Sequence, residues 1–368
     1  MSRFGAFAQL TSCLRGEVPA AADWPAILEL SHRALVTAQL YSALAQVGAV
    51  QELPADVRTF LHEVFKRNRE RNRRLSMQLS DAVRALNDAG IEPVLLKGAA
   101  VWATSGRGLE FDRILTDLDI LVKPSEVEHA LGAFDKAGFP CAARHYGLHS
   151  VAEFGRPTDV GFIDLHQRPP GPTRIAQVDN LDSFCTQISW LGTQAKAPAP
   201  AIQILFTVLH DQFHDGDYWR GGFVLRHLLD IAELSRAPQS VDWLLLHELC
   251  KTSLVRNALG TQLVAAERLV GAAVPELFTR RRWARFQHQR HIWQFMYPSL
   301  AVPLSLIAAI TESPGLLAHG ALNESLRRRA VGMKAEAPRA VSGGRLIRKV
   351  SSRLRRVRRI LTPRPGKL

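Results

Sequence analysis

The chain has 368 residues, of which 46% are hydrophobic and 22% are charged. This composition is typical of globular proteins, so it excludes a largely disordered or fibrous chain and is enough for two or three domains. The net charge is +13, but residues 327–368 carry fifteen Lys and Arg side chains and one acid, a local balance of +14. The rest of the chain therefore has 13 minus 14, or −1, and its function must be argued separately from the basic tail.

Cysteine usage and hydropathy indicate the cytosol. The cysteines are far apart and show none of the short spacings of zinc or redox motifs; they are Cys13, Cys141, Cys185 and Cys250. Reduced thiols are typical of cytosolic proteins, and the N-terminus lacks the apolar run of a signal peptide. No stretch of about twenty residues is apolar enough to predict a membrane span. The closest, 300–317, is predicted to be a pair of buried helices.

Residues 1–90 are predicted to form an N-terminal helical region. In its last helix, apolar side chains recur at steps of three and four between Leu75 and Leu86, so they share one face. Gly90 follows, where a left-handed C-terminal cap forms easily. The basic run 66–74 (KRNRERNRR) is predicted mainly as the solvated face of a helix, with phosphate contact as the alternative.

Residues 91–170 are predicted to form a small mixed sheet with one or two helices. The apolar run 93–96 indicates a buried strand that ends at Lys97 and Gly98, where a helix begins. Glycine lets a phosphate approach the backbone, the helix N-terminus offers free N–H groups, and lysine adds a positive charge. Lys97 and Gly98 are therefore predicted to bind the phosphates of a nucleotide, and Arg113 is predicted to clamp a phosphate or pair with nearby carboxylates.

Three acidic residues in two further predicted strands indicate a metal site. Asp117 and Asp119 share one face of the first strand, because side chains two apart on a strand point to the same side. Asp164 has the same alternation in the run 159–166. Carboxylates suit Mg²⁺, which keeps positions open for phosphate oxygens. A two-metal site of this kind would lower the pKa of an attacking hydroxyl and stabilise a leaving pyrophosphate.

Each of these signals is weak alone, but together and in this order they are specific. Three segments, VLLKGAA (94–100), RILTDLDILV (113–122) and FIDLH (162–166), resemble a family of largely uncharacterised bacterial nucleotidyltransferases. That family is related to the polymerase-β-like superfamily, which includes aminoglycoside nucleotidyltransferases. The resemblance covers roughly residues 23–250 and stops short of the tail.

The resemblance implies a role for each matching residue. Asp117 and Asp119 match the family's metal-binding carboxylates, and Asp164 matches a third carboxylate that completes the site and helps to deprotonate the acceptor. Lys97 and Gly98 stand where the wider superfamily has a Gly-Ser turn for the triphosphate, a departure that is typical of this subfamily.

Other polar residues allow more than one interpretation. His166 shares a face with Asp164 and is predicted either to orient it or contact the acceptor, or to be a structural histidine. His210 and His214 are four apart, which favours one helix face, but they lack the intervening Glu of H-E-x-x-H. They are predicted to line the cleft or cap the helix, and no metal is assigned to them. Arg226 and Asp230, also four apart, are predicted to form a structural ion pair.

Residues 171–326 are predicted to form a C-terminal helical region, and residues 327–368 a basic linker and amphipathic tail. In 345–361, apolar residues recur at steps of three and four among arginines. Such a segment suits an anionic membrane surface, which is the favoured partner. A disordered, solubilising tail is the second interpretation, and nucleic-acid binding is less favoured.

The sequence thus predicts an α+β nucleotidyltransferase core flanked by N-terminal and C-terminal helical regions. The expected reaction moves a nucleoside monophosphate from an NTP to an acceptor and releases pyrophosphate, with Mg²⁺ or Mn²⁺ as the cofactor. The acceptor is left open among a small molecule, a saccharide and a protein. A non-catalytic scaffold or membrane-surface binding protein is the alternative from another class. The expected location is the cytoplasm, including the inner membrane surface.

Overall fold

A mixed sheet of seven strands lies at the centre of the computed structural model, which describes residues 3–145, 149–172, 175–236 and 241–312. In chain order the strands are β1 (Val94–Leu95), β2 (Asp117–Leu121), β3 (Cys141–Arg144), β4 (Ser150–Phe154), β5 (Phe162–His166), β6 (Cys185–Trp190) and β7 (Thr193–Pro198). Their order across the sheet is β3-β4-β5-β2-β1-β7-β6. β2 pairs with β5 and β1 with β7 in parallel, and the other neighbours are antiparallel.

Helices precede, interrupt and follow the strands. They are α1 (Arg3–Leu14), α2 (Trp24–Arg33), α3 (Thr37–Gln46), α4 (Ala55–Asp88), α5 (Lys97–Thr104), α6 (Val127–Lys136), α7 (Pro200–Val208), α8 (Asp217–Arg220), α9 (Leu225–Arg236), α10 (Trp243–Leu249), α11 (Ser253–Val270), α12 (Glu276–Thr279), α13 (Arg282–Met296) and α14 (Pro298–Thr311). A π-helical turn, Leu209–His214, follows α7. This architecture confirms the predicted α+β class. The predictions for 327–368 lie outside the described residues.

The central strands β2 and β5 have one apolar face and one polar face, as their alternation predicts. Four aliphatic side chains are fully buried on the apolar face: Leu118, Ile120, Ile163 and Leu165. Asp119 and Asp164 stand opposite each other on the other face. Because side chains alternate along a strand, packing of the aliphatic face fixes which way the acids point.

Helix α4 anchors the two chain segments that lead into β2 and β5. Its polar side chains donate hydrogen bonds to main-chain carbonyl groups of residues 111–115 and 158–161; the donors are Asn68, Arg71, Asn72, Arg74 and Gln78. These bonds satisfy main-chain acceptors that would be costly to bury alone. Part of the basic run therefore has a structural role, which differs from the predicted solvated face.

The sheet continues beyond residue 170, into the part of the chain assigned to the C-terminal helical region. β6 and β7 form a hairpin whose two-residue turn, Leu191-Gly192, has positive φ at both positions (47° and 81°). A type I′ turn requires this, and Leu-Gly is a weaker sequence signal for it than Asn-Gly. The secondary structure predicted there is thus corrected, while the domain boundaries stay predictions.

Candidate functional site

Three acidic side chains and one histidine lie on the polar face of β2 and β5. Asp117 and Asp119 come from β2, and Asp164 and His166 come from β5. The strand ladder pairs Asp119 with Asp164. Among the described residues, potential ligand atoms of Asp119, Asp164 and His166 all lie within 4.8 Å of one another. The sheet therefore brings together two of the three carboxylates that the sequence analysis assigned to a metal, Asp119 and Asp164, whereas Asp117 shares their face but is not part of this close group.

His166 joins two of these carboxylates. Its Nε2 lies 2.8 Å from Asp119 Oδ1 and 3.1 Å from Asp164 Oδ2. Burial of the ring lowers the pKa of His166, but its hydrogen bonds to both carboxylates outweigh burial and raise that pKa above its ordinary value. Ser150 Oγ donates to Asp164 Oδ1 at 2.5 Å. Of the interpretations considered for His166, this geometry favours orientation of Asp164, and it adds Asp119.

Lys97 places its ammonium group directly against Asp119. The Nζ atom lies 2.5 Å from Asp119 Oδ1, and the Lys97 side chain is only 18% exposed. Its backbone is left-handed, with φ of 47°, which costs a non-glycine residue roughly 1–2 kcal/mol. Such strain in a non-glycine residue is typical of functional sites. The turn after β1 thus directs the Lys97 side chain toward the carboxylates.

The charges at this face keep the carboxylates ionised. Burial raises the pKa of Asp119, but the Lys97 ammonium and the bond from His166 outweigh it and hold that pKa well below its ordinary value. The pKa of Asp164 is also lowered, because bonds from His166 and Ser150 outweigh burial. Burial lowers the pKa of Lys97, and the charges of Asp119 and Asp117 raise it above the ordinary value. Both carboxylates are therefore anionic at neutral pH.

The donor set fits a hard divalent cation. Carboxylate oxygens suit Mg²⁺ and Mn²⁺. Asp119 is already in contact with one cationic group, the Lys97 ammonium. Asp117 is partly buried at the first position of β2 and accepts a hydrogen bond from Thr116 Oγ1 at 2.8 Å. His166 and Ser150 orient the carboxylates, as groups behind metal ligands do.

Gly98, which follows Lys97, packs directly against the side chain of Arg113. A Cβ atom at Gly98 would lie 2.3 Å from Arg113 Nη1 and 2.5 Å from Leu115 Cδ2, so only glycine fits there. Arg113 is 5% exposed, and its Nε lies 2.7 Å from Oδ1 of the equally buried Asp230. Of the two roles predicted for Arg113, this placement favours pairing with a carboxylate, but the partner is Asp230 on α9 and not an acid of β2. Gly98 is required here by packing.

Arg226 is a cation that the sequence analysis interpreted differently. Asp230 pairs with Arg113, and not with Arg226 as the spacing of four predicts. Within the described residues, Nε and Nη1 of Arg226 are buried without a hydrogen-bond partner. Burial lowers the pKa of Arg226, and the negative charge of Asp117 opposes this effect. A buried guanidinium with unused donors beside Asp117 is suited to an anion.

The chain is an α+β protein in which a mixed sheet, with helical regions before and after it, carries paired carboxylates on adjacent parallel strands. The chain belongs to the uncharacterised nucleotidyltransferase family, whose model matches residues 20–271. This match confirms the resemblance seen in the three sequence segments. No curated protein matches the chain. Among solved structures, the chain is similar to the solution structure of the antibiotic-resistance factor ANT(2'')-Ia, with 12% identity and a TM-score of 0.29, over 59% of this chain and 97% of that one.

Proposed function

We propose that the chain transfers a nucleoside monophosphate from an NTP to an acceptor hydroxyl or phosphate, releases pyrophosphate, and depends on Mg²⁺ or Mn²⁺. The observation that carries the proposal is the face shared by Asp117, Asp119 and Asp164, with the Lys97 ammonium against Asp119. Membership in a nucleotidyltransferase family supports the reaction class.

The residues of this face have distinct roles in the proposed reaction. Asp117, Asp119 and Asp164 would hold the metal, which when bound neutralises triphosphate charge and lowers the pKa of the attacking hydroxyl. Lys97, whose ammonium lies against Asp119, would offer a positive charge to the phosphate oxygens of a nucleotide bound at this face. His166 keeps Asp119 and Asp164 aligned through its bonds to both.

Calorimetric titration tests this function. Each of the four ribonucleoside triphosphates is titrated into the full chain with and without Mg²⁺. We expect at least one to bind only with the metal. A folded chain that binds none of them would support the non-catalytic scaffold instead.

A screen with labelled NTP then separates the acceptor classes. A label that moves to a protein band indicates a protein-modifying transferase. A label that moves to a soluble product indicates a small-molecule or saccharide acceptor.

Replacing Arg226 with Gln is expected to weaken magnesium-dependent NTP binding about tenfold or more, since a hydrogen bond to a charged group contributes about 1.5–3 kcal/mol. The free energy of unfolding should not fall, because Nε and Nη1 of Arg226 have no partner among the described residues. Titration calorimetry and urea unfolding measure the two quantities, with Arg84→Gln on the exposed side of α4 as the control. Lower stability with unchanged NTP binding would assign Arg226 a structural role only.

We also propose that the chain docks on an anionic membrane surface through α13 and α14. No described helix is long and apolar enough to cross a membrane. However, these two helices expose large apolar side chains, which include Trp283, Phe286, Trp293, Leu306 and Ile307. The exposed residues of α14 correct the buried helix pair predicted for 300–317. Aromatic side chains favour the membrane interface. The basic segment 345–361, which follows in the sequence, lies outside the described residues.

Flotation with lipid vesicles tests this docking. Vesicles containing phosphatidylserine are expected to carry the full chain, and vesicles of phosphatidylcholine alone are not. Binding should decrease with salt, because surface charge is screened. Trp283→Ser combined with Trp293→Ser should reduce binding several-fold, whereas Phe60→Ser, at another exposed aromatic residue, should not. Equal binding by both variants would contradict a role for α13.

A further inference from the structure

The π-helical turn after α7 places three potential metal ligands on one face. The amide N–H of Asp215 donates to the carbonyl of His210, five residues earlier, at 2.9 Å. A turn closed by this i+5 bond is wider than an α-helical turn. The residues four and five positions after His210, which are His214 and Asp215, therefore lie on the same side of the turn as His210. His210, His214 and Asp215 therefore face one another, and π-turns of this kind often occur at functional sites.

The geometry of this group is that of a small coordination site. Potential ligand atoms of His210, His214 and Asp215 lie within 4.8 Å of one another. The imidazole rings of His210 and His214 are stacked, with centroids 5.4 Å apart. Both histidines are partly exposed, so an ion could reach them from solvent.

A buried carboxylate stands behind the group. Asp211 is 1% exposed, and its Oδ1 lies 3.2 Å from Nδ1 of His210 and 2.9 Å from Nδ1 of His227. Gln262 Nε2 donates to Asp211 Oδ2 at 3.0 Å. Carboxylates commonly hold the rings of metal-binding histidines in this way. Asp211 therefore orients His210 without being exposed to solvent.

The group adjoins the carboxylate face but shares no residue with it. The ring of His149 lies between the two, with its centroid 5.3 Å from that of His166 and 4.7 Å from that of His214. The His149 ring thus contacts a histidine of each group. A ligand bound at the π-turn would be near the proposed nucleotidyl-transfer site.

We propose that His210, His214 and Asp215 form a second metal site, for a divalent transition-metal ion of the zinc type. Two imidazoles and one carboxylate suit such an ion better than Mg²⁺, which prefers oxygen ligands alone. Three protein ligands leave a coordination position open, as in catalytic zinc sites. That position would take water or an oxygen atom of a ligand. The proposal does not depend on nucleotidyl transfer.

Zinc titration of the full chain tests the site, with cobalt(II) as a spectroscopic substitute. We expect one zinc equivalent to be lost, or bound at least about a hundredfold more weakly, in His214→Ala, because changes behind a ligand alone cost roughly 10- to 100-fold. The visible absorption of tetrahedral cobalt(II) should disappear with it. His129→Ala, at an exposed histidine of α6, should change neither readout.

Two further variants keep the result interpretable. His210→Gln should lose the same zinc equivalent if His214→Ala proves unstable, with circular dichroism as the folding control. Asp117→Asn should keep it, because Asp117 belongs to the carboxylate face and not to the group of His210, His214 and Asp215. Zinc binding that is absent from the wild type, or equal in number and affinity in His214→Ala and His210→Gln, would overturn the proposal.

Discussion

Replacing Asp117 with Asn should weaken magnesium-dependent NTP binding by at least about a hundredfold, because even changes behind a metal ligand cost roughly 10- to 100-fold in metal affinity. Asn keeps the size of the side chain and removes its negative charge. Among the described residues, the Asp117 carboxylate accepts a hydrogen bond from Thr116 alone, so the thermal unfolding temperature should hardly change. Titration calorimetry with Mg²⁺ present and absent measures the effect.

Two other variants are compared with Asp117→Asn. Asp135→Asn, on an exposed position of α6, is the matched control and should bind like the wild type. Asp119→Asn should lose binding and stability together, because Lys97 then keeps its positive charge without that carboxylate and His166 loses one of its two carboxylate partners. Unchanged NTP binding by a folded Asp117→Asn variant would contradict the assignment of Asp117 to the metal.

The second large effect concerns the buried pair of Arg113 and Asp230. Arg113→Gln is expected to lower the free energy of unfolding by about 3–5 kcal/mol, the usual cost of removing one partner of a buried ion pair. Both side chains are 5% exposed, so the remaining Asp230 carboxylate would be buried without its partner. Urea unfolding measures the change.

The controls for this pair separate charge from packing. Arg84→Gln on the surface of α4 should change stability by less than about 0.5 kcal/mol. The double variant Arg113→Met with Asp230→Leu should recover most of the loss, because apolar residues of similar volume often replace a buried pair at little cost. A loss below about 1 kcal/mol in Arg113→Gln would show that the pair is not important for stability.

The central strands could be predicted because their pattern is local. Asp117, Asp119 and Asp164 alternate with aliphatic residues, and burial of the aliphatic side alone decides which way the acids face. The alternation also put His166 beside Asp164. The pattern did not reveal which strands are neighbours in the sheet. The structure shows that β2 pairs in parallel with β5, which places Asp119 opposite Asp164.

Other features depend on contacts that no local pattern contains. Arg113 and Asp230 are 117 positions apart in the chain, so the pair could not be read from spacing, and Arg226 was matched to Asp230 instead. The spacing of His210 and His214 fits an ordinary α-helix as well as a π-turn, and only the i+5 bond brings Asp215 to them. The hairpin of β6 and β7 turns at Leu191-Gly192, which is not a strong turn signal.

The most direct test of the metal site proposed at Asp117, Asp119 and Asp164 is diffraction from crystals grown with Mn²⁺ and a non-hydrolysable NTP analogue. The anomalous signal of manganese locates the ion without assuming its ligands. We predict a peak within bonding distance of carboxylate oxygens of Asp117 and Asp119, with the triphosphate beside it and Lys97 moved from Asp119 to the phosphates. Nucleotide bound elsewhere, or no manganese peak at these carboxylates, would contradict the proposed reaction at this face.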